Sequence, residues 1–154
     1  MQRAGLGAGA ISVGLLLAAF AFQYIGGLAP CPICIWQRWP HGVAIGCAVA
    51  LFAFPGRIWA CLGGAAMITN AGISLFHTGI ERGWWPGPET CVGTDISQIS
   101  PEDLLDQLLT TDVVLCDQVA WEFAGISMAS WNGLVCIFAA ALWFRAYASS
   151  SASQ

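Results

Sequence analysis

The sequence predicts an all-α membrane protein: a four-transmembrane-helix bundle with a long outer loop that carries a short surface amphipathic helix. Three observations predict it. Hydrophobic residues make up 57% of the 154 residues and charged residues only 9%, against about 25% charged in soluble domains. Four apolar runs each approach the roughly 20 residues a helix needs to cross a bilayer. All acidic residues lie between Glu81 and Glu122, so the polar part of the chain is concentrated in one stretch. The reading is of a single four-helix membrane domain over residues 1–154. A net charge of −4 sets nucleic acid aside as a partner. The lipid bilayer is the partner that the apolar runs require.

The first span is expected at about 8–28, in a stretch without a charge between Arg3 and Arg38. A signal peptide is the competing reading, since Arg3 and an apolar core suit one. The run is long for a signal core, however, and Pro30 stands before Cys31 where a lipoprotein processing site takes a small residue. The second span is expected at about 33–54, kinked by Pro40, whose ring displaces the carbonyl four residues back. Along it Cys34, Gln37, Arg38 and His41 recur at helical spacing and share one face. A polar stripe on a membrane helix faces the bundle interior or a cavity and marks functional candidates. For Arg38 the alternative is snorkelling to the interface from the first turns.

Phe54-Pro55-Gly56-Arg57 reads as a tight turn, and an uncharged third span follows at about 58–78. Glu81 and Arg82 close it, and Trp84 and Trp85 read as an interfacial belt. A polar loop at about 80–127 leads to the last span at about 128–147. Four spans put both termini on one side, with Arg3, Arg57 and Arg145, and leave Arg38 and Arg82 on the other. That balance points to cytoplasmic termini. Cys31, Cys34, Cys91 and Cys116 then share the outer, oxidising face, whereas Cys47, Cys61 and Cys136 fall inside apolar helices as expected small buried hydrophobes.

The stretch Pro30-Cys31-Pro32-Ile33-Cys34-Ile35-Trp36-Gln37-Arg38 concentrates the chemistry. Pro32 lacks a backbone N–H and suits the first helical position, which makes Cys31 the N-cap and puts Cys34 in the first turn. Sulfurs three residues apart on one helix face are within disulfide reach. The helix start favours a thiolate, and Arg38, one turn beyond Cys34, pushes the same way. The reading is a redox-active dithiol with an activated Cys34. Half of a zinc site, or two idle thiols, is the alternative.

Cys91 and Cys116 are the loop's two cysteines, and a bridge between them would close a large surface loop. A purely structural disulfide is the bland alternative. Between them, Ser100 suits an N-cap, Pro101 the first helical position, and Glu102 and Asp103 the positive helix end. Leu104, Leu105, Leu108 and Leu109 form an apolar stripe. A helix of this kind beside a bilayer is expected to lie on the membrane surface, with packing onto the bundle as the alternative.

Cys31-Pro32-Ile33-Cys34-Ile35-Trp36-Gln37-Arg38, His77-Thr78-Gly79-Ile80-Glu81-Arg82-Gly83 before Cys91, Cys116 through Phe123, and Met128 through Asn132 together resemble the DsbB family of bacterial disulfide-bond-forming membrane proteins. The resemblance covers almost the whole chain. It implies an inner-membrane enzyme with its redox sites on the periplasmic side. It also implies a reduced thioredoxin-like partner of the DsbA type that attacks Cys91, and electron transfer to Cys31–Cys34 through a transient Cys31–Cys116 bond. Cys34 would then reduce a bound quinone, ubiquinone or menaquinone. Arg38 is expected to stabilise the Cys34 thiolate and to bond a quinone carbonyl, with His77 as a second donor to the ring. The alternative for His77 is a neutral histidine at a helix end. His41 and the three intramembrane cysteines match no family role. Three other readings stay open: a vitamin K epoxide reductase-like quinone enzyme, whose CxxC sits late in its bundle; a membrane protein holding zinc on Cys31, Cys34, Cys91 and Cys116; and a cysteine-stapled structural four-span protein, which needs neither Arg38 nor a bound quinone.

Overall fold

The computed structural model describes residues 1–88, 91 and 115–149. The leucine stripe from Leu104 to Leu109 lies outside the described residues. Among the described residues there are four long helices: α1 (Gln2–Tyr24), α2 (Pro32–Ala53), α3 (Arg57–Glu81) and α4 (Met128–Ser149). Two short strands, β1 (Glu122–Phe123) and β2 (Ile126–Ser127), pair antiparallel just before α4.

Three of the four helices are long and apolar enough to cross a membrane: α1, α3 and α4, with mean hydropathies of 2.0, 1.4 and 1.2. The fourth, α2, is as long as α4 at 22 residues. It carries Gln37, Arg38, Pro40 and His41, and these polar residues lower its hydropathy.

Local chemistry sets the helix ends. α1 starts and stops earlier than the hydropathy pattern predicts. The amides of Ile25 and Gly26 both turn back to the Ala21 carbonyl, at 2.8 and 3.0 Å. The Leu28 amide returns to Phe22, and Gly27 takes φ +68°, the left-handed conformation that closes helices. α2 opens at Pro32 behind the N-cap Cys31, as its sequence requires, and contains Pro40. α3 extends beyond its expected end to include Glu81, which brings that carboxylate into the site described below.

The helices pack in chain order around a ring, α1 on α2, α2 on α3, α3 on α4 and α4 back on α1. Antiparallel neighbours follow from the short α2–α3 connection. For α3 and α4, Thr78 bonds Ser130 at one end, while the Arg57 guanidinium covers the Tyr147 ring at the other. The core lies toward the end that holds the chain termini. Trp143 is fully buried there with Leu51, Met67 and Ala139. Small residues make that packing possible. A Cβ on Gly63 would stand 2.5 Å from the Trp143 ring, and one on Gly9 would stand 2.4 Å from the Ala48 Cβ. Close helix approach over small residues is how membrane helices gain contact without a hydrophobic drive. Cys47 and Cys136 are buried, as expected, but Cys61 is exposed on the outside of the bundle: helix register, not composition, decides which way a small apolar residue faces.

Candidate active site

The site begins with the cap of α2. Cys31 has extended backbone angles, Pro32 holds the first helical position, and the Cys31 sulfur accepts from the Cys34 amide at 3.2 Å. The two sulfurs lie 2.8 Å apart. Cys31 is buried and Cys34 half-buried.

α3 brings the next group. His77 is buried, and its Nε2 stands 3.6 Å from the Cys31 sulfur and 4.0 Å from Oε1 of Glu81. Its Nδ1 is 3.4 Å from Gln37 Nε2. Glu81 accepts from Ser127, which sits at the base of the β1–β2 hairpin and contacts Ser130. The hairpin thus ties the start of α4 to the end of α3. Its turn residues, Ala124 and Gly125, have φ +55° and +74°, as a two-residue type I′ turn requires.

The loop cysteines join from the other side. Cys91 and Cys116 form a disulfide with Cα atoms 4.9 Å apart. The Cys116 amide donates to the Cys91 carbonyl at 2.9 Å and the Cys91 amide to Pro88 at 2.8 Å. Both residues are buried in one cluster with Cys31, Ile33 and Ile80, against which Cys34 packs. The structure therefore brings all four sequence-predicted cysteines together. Two of the thiols a four-cysteine zinc site needs are bonded to each other. The remaining soft donors, Cys31, Cys34 and His77, lie within 4.8 Å of one another.

Arg38 is held from α1. Its Nη1 donates to Gln23 Oε1 at 2.7 Å and its guanidinium lies 4.9 Å over the Phe20 ring. Among the described residues its hydrogen bond goes to α1 and not to Cys34. A hydrogen bond from the Cys34 thiol, working against burial and joined by His77 and the Cys34 amide, holds the Cys31 thiol down from 9.0 to about 5. The cap amide and the α3 histidine both face the Cys31 sulfur.

A cavity of about 450 Å³ opens onto these groups. Leu15, Ala19 and Phe22 of α1, Trp121 and Val135 supply its apolar walls, while Cys34, Arg38, His77 and Glu81 stand among its polar lining. An apolar cavity of this size with few convergent polar groups suits a mostly apolar small molecule. His41 and Asn132 also line it. Sequence reasoning put Gln37 and His41 on the functional face without giving them tasks, and it missed Gln23, Ser127 and Asn132. The 3–4 spacing of the α2 stripe was the available signal for the first two. The others become visible only when α1 and α4 are packed against it.

A protein-family profile described as "Disulfide bond formation protein DsbB" matches residues 2–146. Similar curated proteins carry the name "Disulfide bond formation protein B". One from Dechloromonas aromatica is 34% identical over 141 residues, covering 86% of this chain and 82% of that protein. Another, from Methylococcus capsulatus, is 36% identical over 136 residues, covering 79% and 78%. A third, from Pasteurella multocida, is 32% identical over 136 residues, covering 83% and 75%.

Proposed function

The chain belongs to the DsbB family of disulfide bond formation proteins, and from that premise we propose that it is a membrane thiol:quinone oxidoreductase. In this reading it spans the bacterial inner membrane four times, with cytoplasmic termini and its cysteines at the periplasmic face. It reoxidises a periplasmic thioredoxin-like dithiol protein of the DsbA type. The observation that carries the reading is the single buried cluster holding both cysteine pairs beside an apolar cavity.

The exchange steps balance without an outside reagent until the last. A thiolate of the partner attacks the Cys91 sulfur, the Cys91–Cys116 bond breaks, and Cys116 leaves as thiolate. The partner's second thiolate then takes over its sulfur, which frees Cys91 and leaves the partner oxidised. Cys116 attacks Cys31 in a Cys31–Cys34 disulfide and expels Cys34. Cys91 closes on Cys116, which restores the loop disulfide and releases Cys31 as a thiolate stabilised by the cap amide and His77. A low-pKa sulfur leaves readily, which suits Cys31 to this release.

A quinone bound in the cavity supplies the acceptor for the two electrons and two protons of the Cys31–Cys34 dithiol. Arg38 and His77 are the residues proposed to hold it. Arg38 is anchored by Gln23 and Phe20, with guanidinium N–H groups left to meet a carbonyl oxygen. A strong acceptor is needed because DsbA-type dithiols sit near −120 mV, far more oxidising than glutathione pools.

The test is oxidation of a reduced DsbA-type protein by membranes containing this chain, with and without added quinone. Oxidation that requires both the chain and quinone is expected. Equal oxidation in quinone-depleted membranes contradicts the reading. Stoichiometric zinc on the purified protein, held by Cys31, Cys34 and His77, favours the metal reading instead.

A further inference from the structure

Below the cysteines the bundle contains a line of buried polar side chains to which the exchange steps assign no task. We propose that His41, Asn132 and Gln37 form a directional hydrogen-bonded relay that holds His77 with its proton on Nε2, so that an N–H faces the Cys31 sulfur. The inference rests on reading Cys31–Cys34 as the redox pair.

The direction follows from donors and acceptors taken one at a time. Asn132 Oδ1 can only accept, so the His41 Nε2 that lies 3.0 Å from it carries the ring hydrogen. His41 Nδ1 is then an acceptor, and the Ser12 hydroxyl, 3.3 Å away, donates to it. Among the described residues the same hydroxyl has the Met67 sulfur, at 3.7 Å, as its alternative. With its oxygen turned to His41, Asn132 points its Nδ2 at Gln37 Oε1 and Ser74, at 3.4 and 3.0 Å. That contact occupies the Gln37 oxygen and leaves the Gln37 amide nitrogen against His77 Nδ1, at 3.4 Å. Nδ1 accepts, so the proton of a neutral His77 resides on Nε2, the atom 3.6 Å from the Cys31 sulfur.

Every donor in this line points toward Cys31. Aligned hydrogen bonds polarise one another in a low-dielectric interior, so the last N–H in the row gains most. The line draws one side chain from α1, two from α2, one from α3 and one from α4, and His41, Gln37 and His77 are all buried. The ionisable groups acting on Cys31 are Cys34 on α2 and His77 and Glu81 on α3. The loop contributes the Cys91–Cys116 disulfide, which does not titrate. Glu81 Oε1, 4.0 Å from the same Nε2, and the Cys116 backbone carbonyl are the other acceptors near the ring; the Cys31 sulfur, at 3.6 Å, is nearer than Glu81. Near His41, Cys136 is a weaker neighbour, its sulfur 3.9 Å from Nε2. His41, Asn132 and Gln37 are thus positioning residues acting through His77.

The experiment reads thiolate directly and needs neither quinone nor partner. The full-length protein carrying Cys91→Ser and Cys116→Ser, with Cys31 and Cys34 reduced, is alkylated in detergent with iodoacetamide across about pH 4 to 9, bracketing shifted and ordinary thiols, and modification at Cys31 is followed by mass spectrometry. His41→Leu and Gln37→Leu each remove a link. Both are expected to raise the midpoint of Cys31 reactivity by about one pH unit, the scale of one hydrogen bond to a charged group. His41→Gln can donate to Asn132 and accept from Ser12, and it should restore the wild-type midpoint. Should His41→Leu not fold, Gln37→Leu and Asn132→Asp, which turns a donor into an acceptor, carry the test. Folded link-breaking variants that keep the wild-type midpoint overturn the relay, as does a shift that His41→Gln fails to rescue. Because no quinone is present, a failed quinone assay leaves this result standing, and the reverse also holds.

Discussion

The two cysteine pairs share one buried cluster, yet their surroundings differ in kind. Cys31 and Cys34 sit at a helix start, where the Cys34 amide and His77 face one sulfur. Cys91 and Cys116 are held by loop backbone, with their amides spent on the Pro88 and Cys91 carbonyls. Burial is common to both pairs, so burial does not separate their chemistry. Donors do. The first pair has groups that stabilise a sulfur anion, and among the described residues the second has its donors committed elsewhere. Under the proposed relay, the pair without anion-stabilising donors would hand its electrons on, and the pair with them would hold a thiolate for the next step.

The largest expected effect breaks the series. Cys91→Ser should abolish turnover with a reduced DsbA-type partner while leaving Cys31 and Cys34 oxidisable by quinone, measured as quinol formed without partner. Retained partner turnover would mean that the pairs do not act in sequence. Cys116→Ser sharpens the same point, because loss of the resolving thiol should trap a Cys91–partner mixed disulfide, visible on a non-reducing gel.

A smaller effect belongs to the cavity. Arg38→Ala should raise the apparent KM for quinone by about tenfold to a hundredfold, as expected for losing a charge-assisted bond. Arg38→Lys keeps the charge but loses the planar fork that meets Gln23 and Phe20 together, so its loss should be less. Quinone titration at fixed reduced partner measures both, and wild-type dependence in Arg38→Ala would move the pocket elsewhere.

Acid should separate the two pairs without any substitution. The Cys31 thiol is held down from 9.0 to about 5 in the reduced fold. A lowered acid constant stabilises the folded state fully above the unfolded value, and that stability is lost as pH falls toward the folded one. The reduced protein should therefore gain thermal stability between about pH 5 and 9, and Cys31→Ser should flatten the profile. An identical slope in Cys31→Ser would assign the effect to other groups.

The smallest expected change is a control on the hairpin. Ala124 holds φ +55°, and Ala124→Gly should relieve about 1 kcal/mol of left-handed strain. A slight rise in melting temperature with unchanged turnover is the outcome expected if the hairpin only ties α3 to α4.

Much of this comparison is legible before folding. Pro32 behind Cys31 announces the cap because proline's missing N–H is harmless only at a helix start. The α2 stripe announces a buried face because its spacing matches the helix. Which sulfur the histidine faces is not legible, since His77 arrives from α3. The direction of Arg38 is hidden for the same reason: its partner, Gln23, lies on α1. The early end of α1 was available in Gly26-Gly27, but a hydropathy window does not register a left-handed cap. The hairpin escaped because two-residue strands carry too little alternation to read, although Ala124-Gly125 fits its turn. The surface helix expected around Leu104 to Leu109 falls outside the described residues, so its place beside either pair stays a prediction. Replacing the four leucines with polar residues should slow transfer between the pairs without unfolding the bundle.

The central claim, that Cys31–Cys34 is the pair in direct exchange with quinone, is tested most directly in a single turnover. Cys91→Ser/Cys116→Ser protein is purified, reduced, freed of reductant and mixed with an excess of ubiquinone or menaquinone. The account predicts one Cys31–Cys34 disulfide, mapped by mass spectrometry, and one quinol for each protein molecule, with no partner present. A protein that keeps both thiols and forms no quinol with either quinone would contradict it.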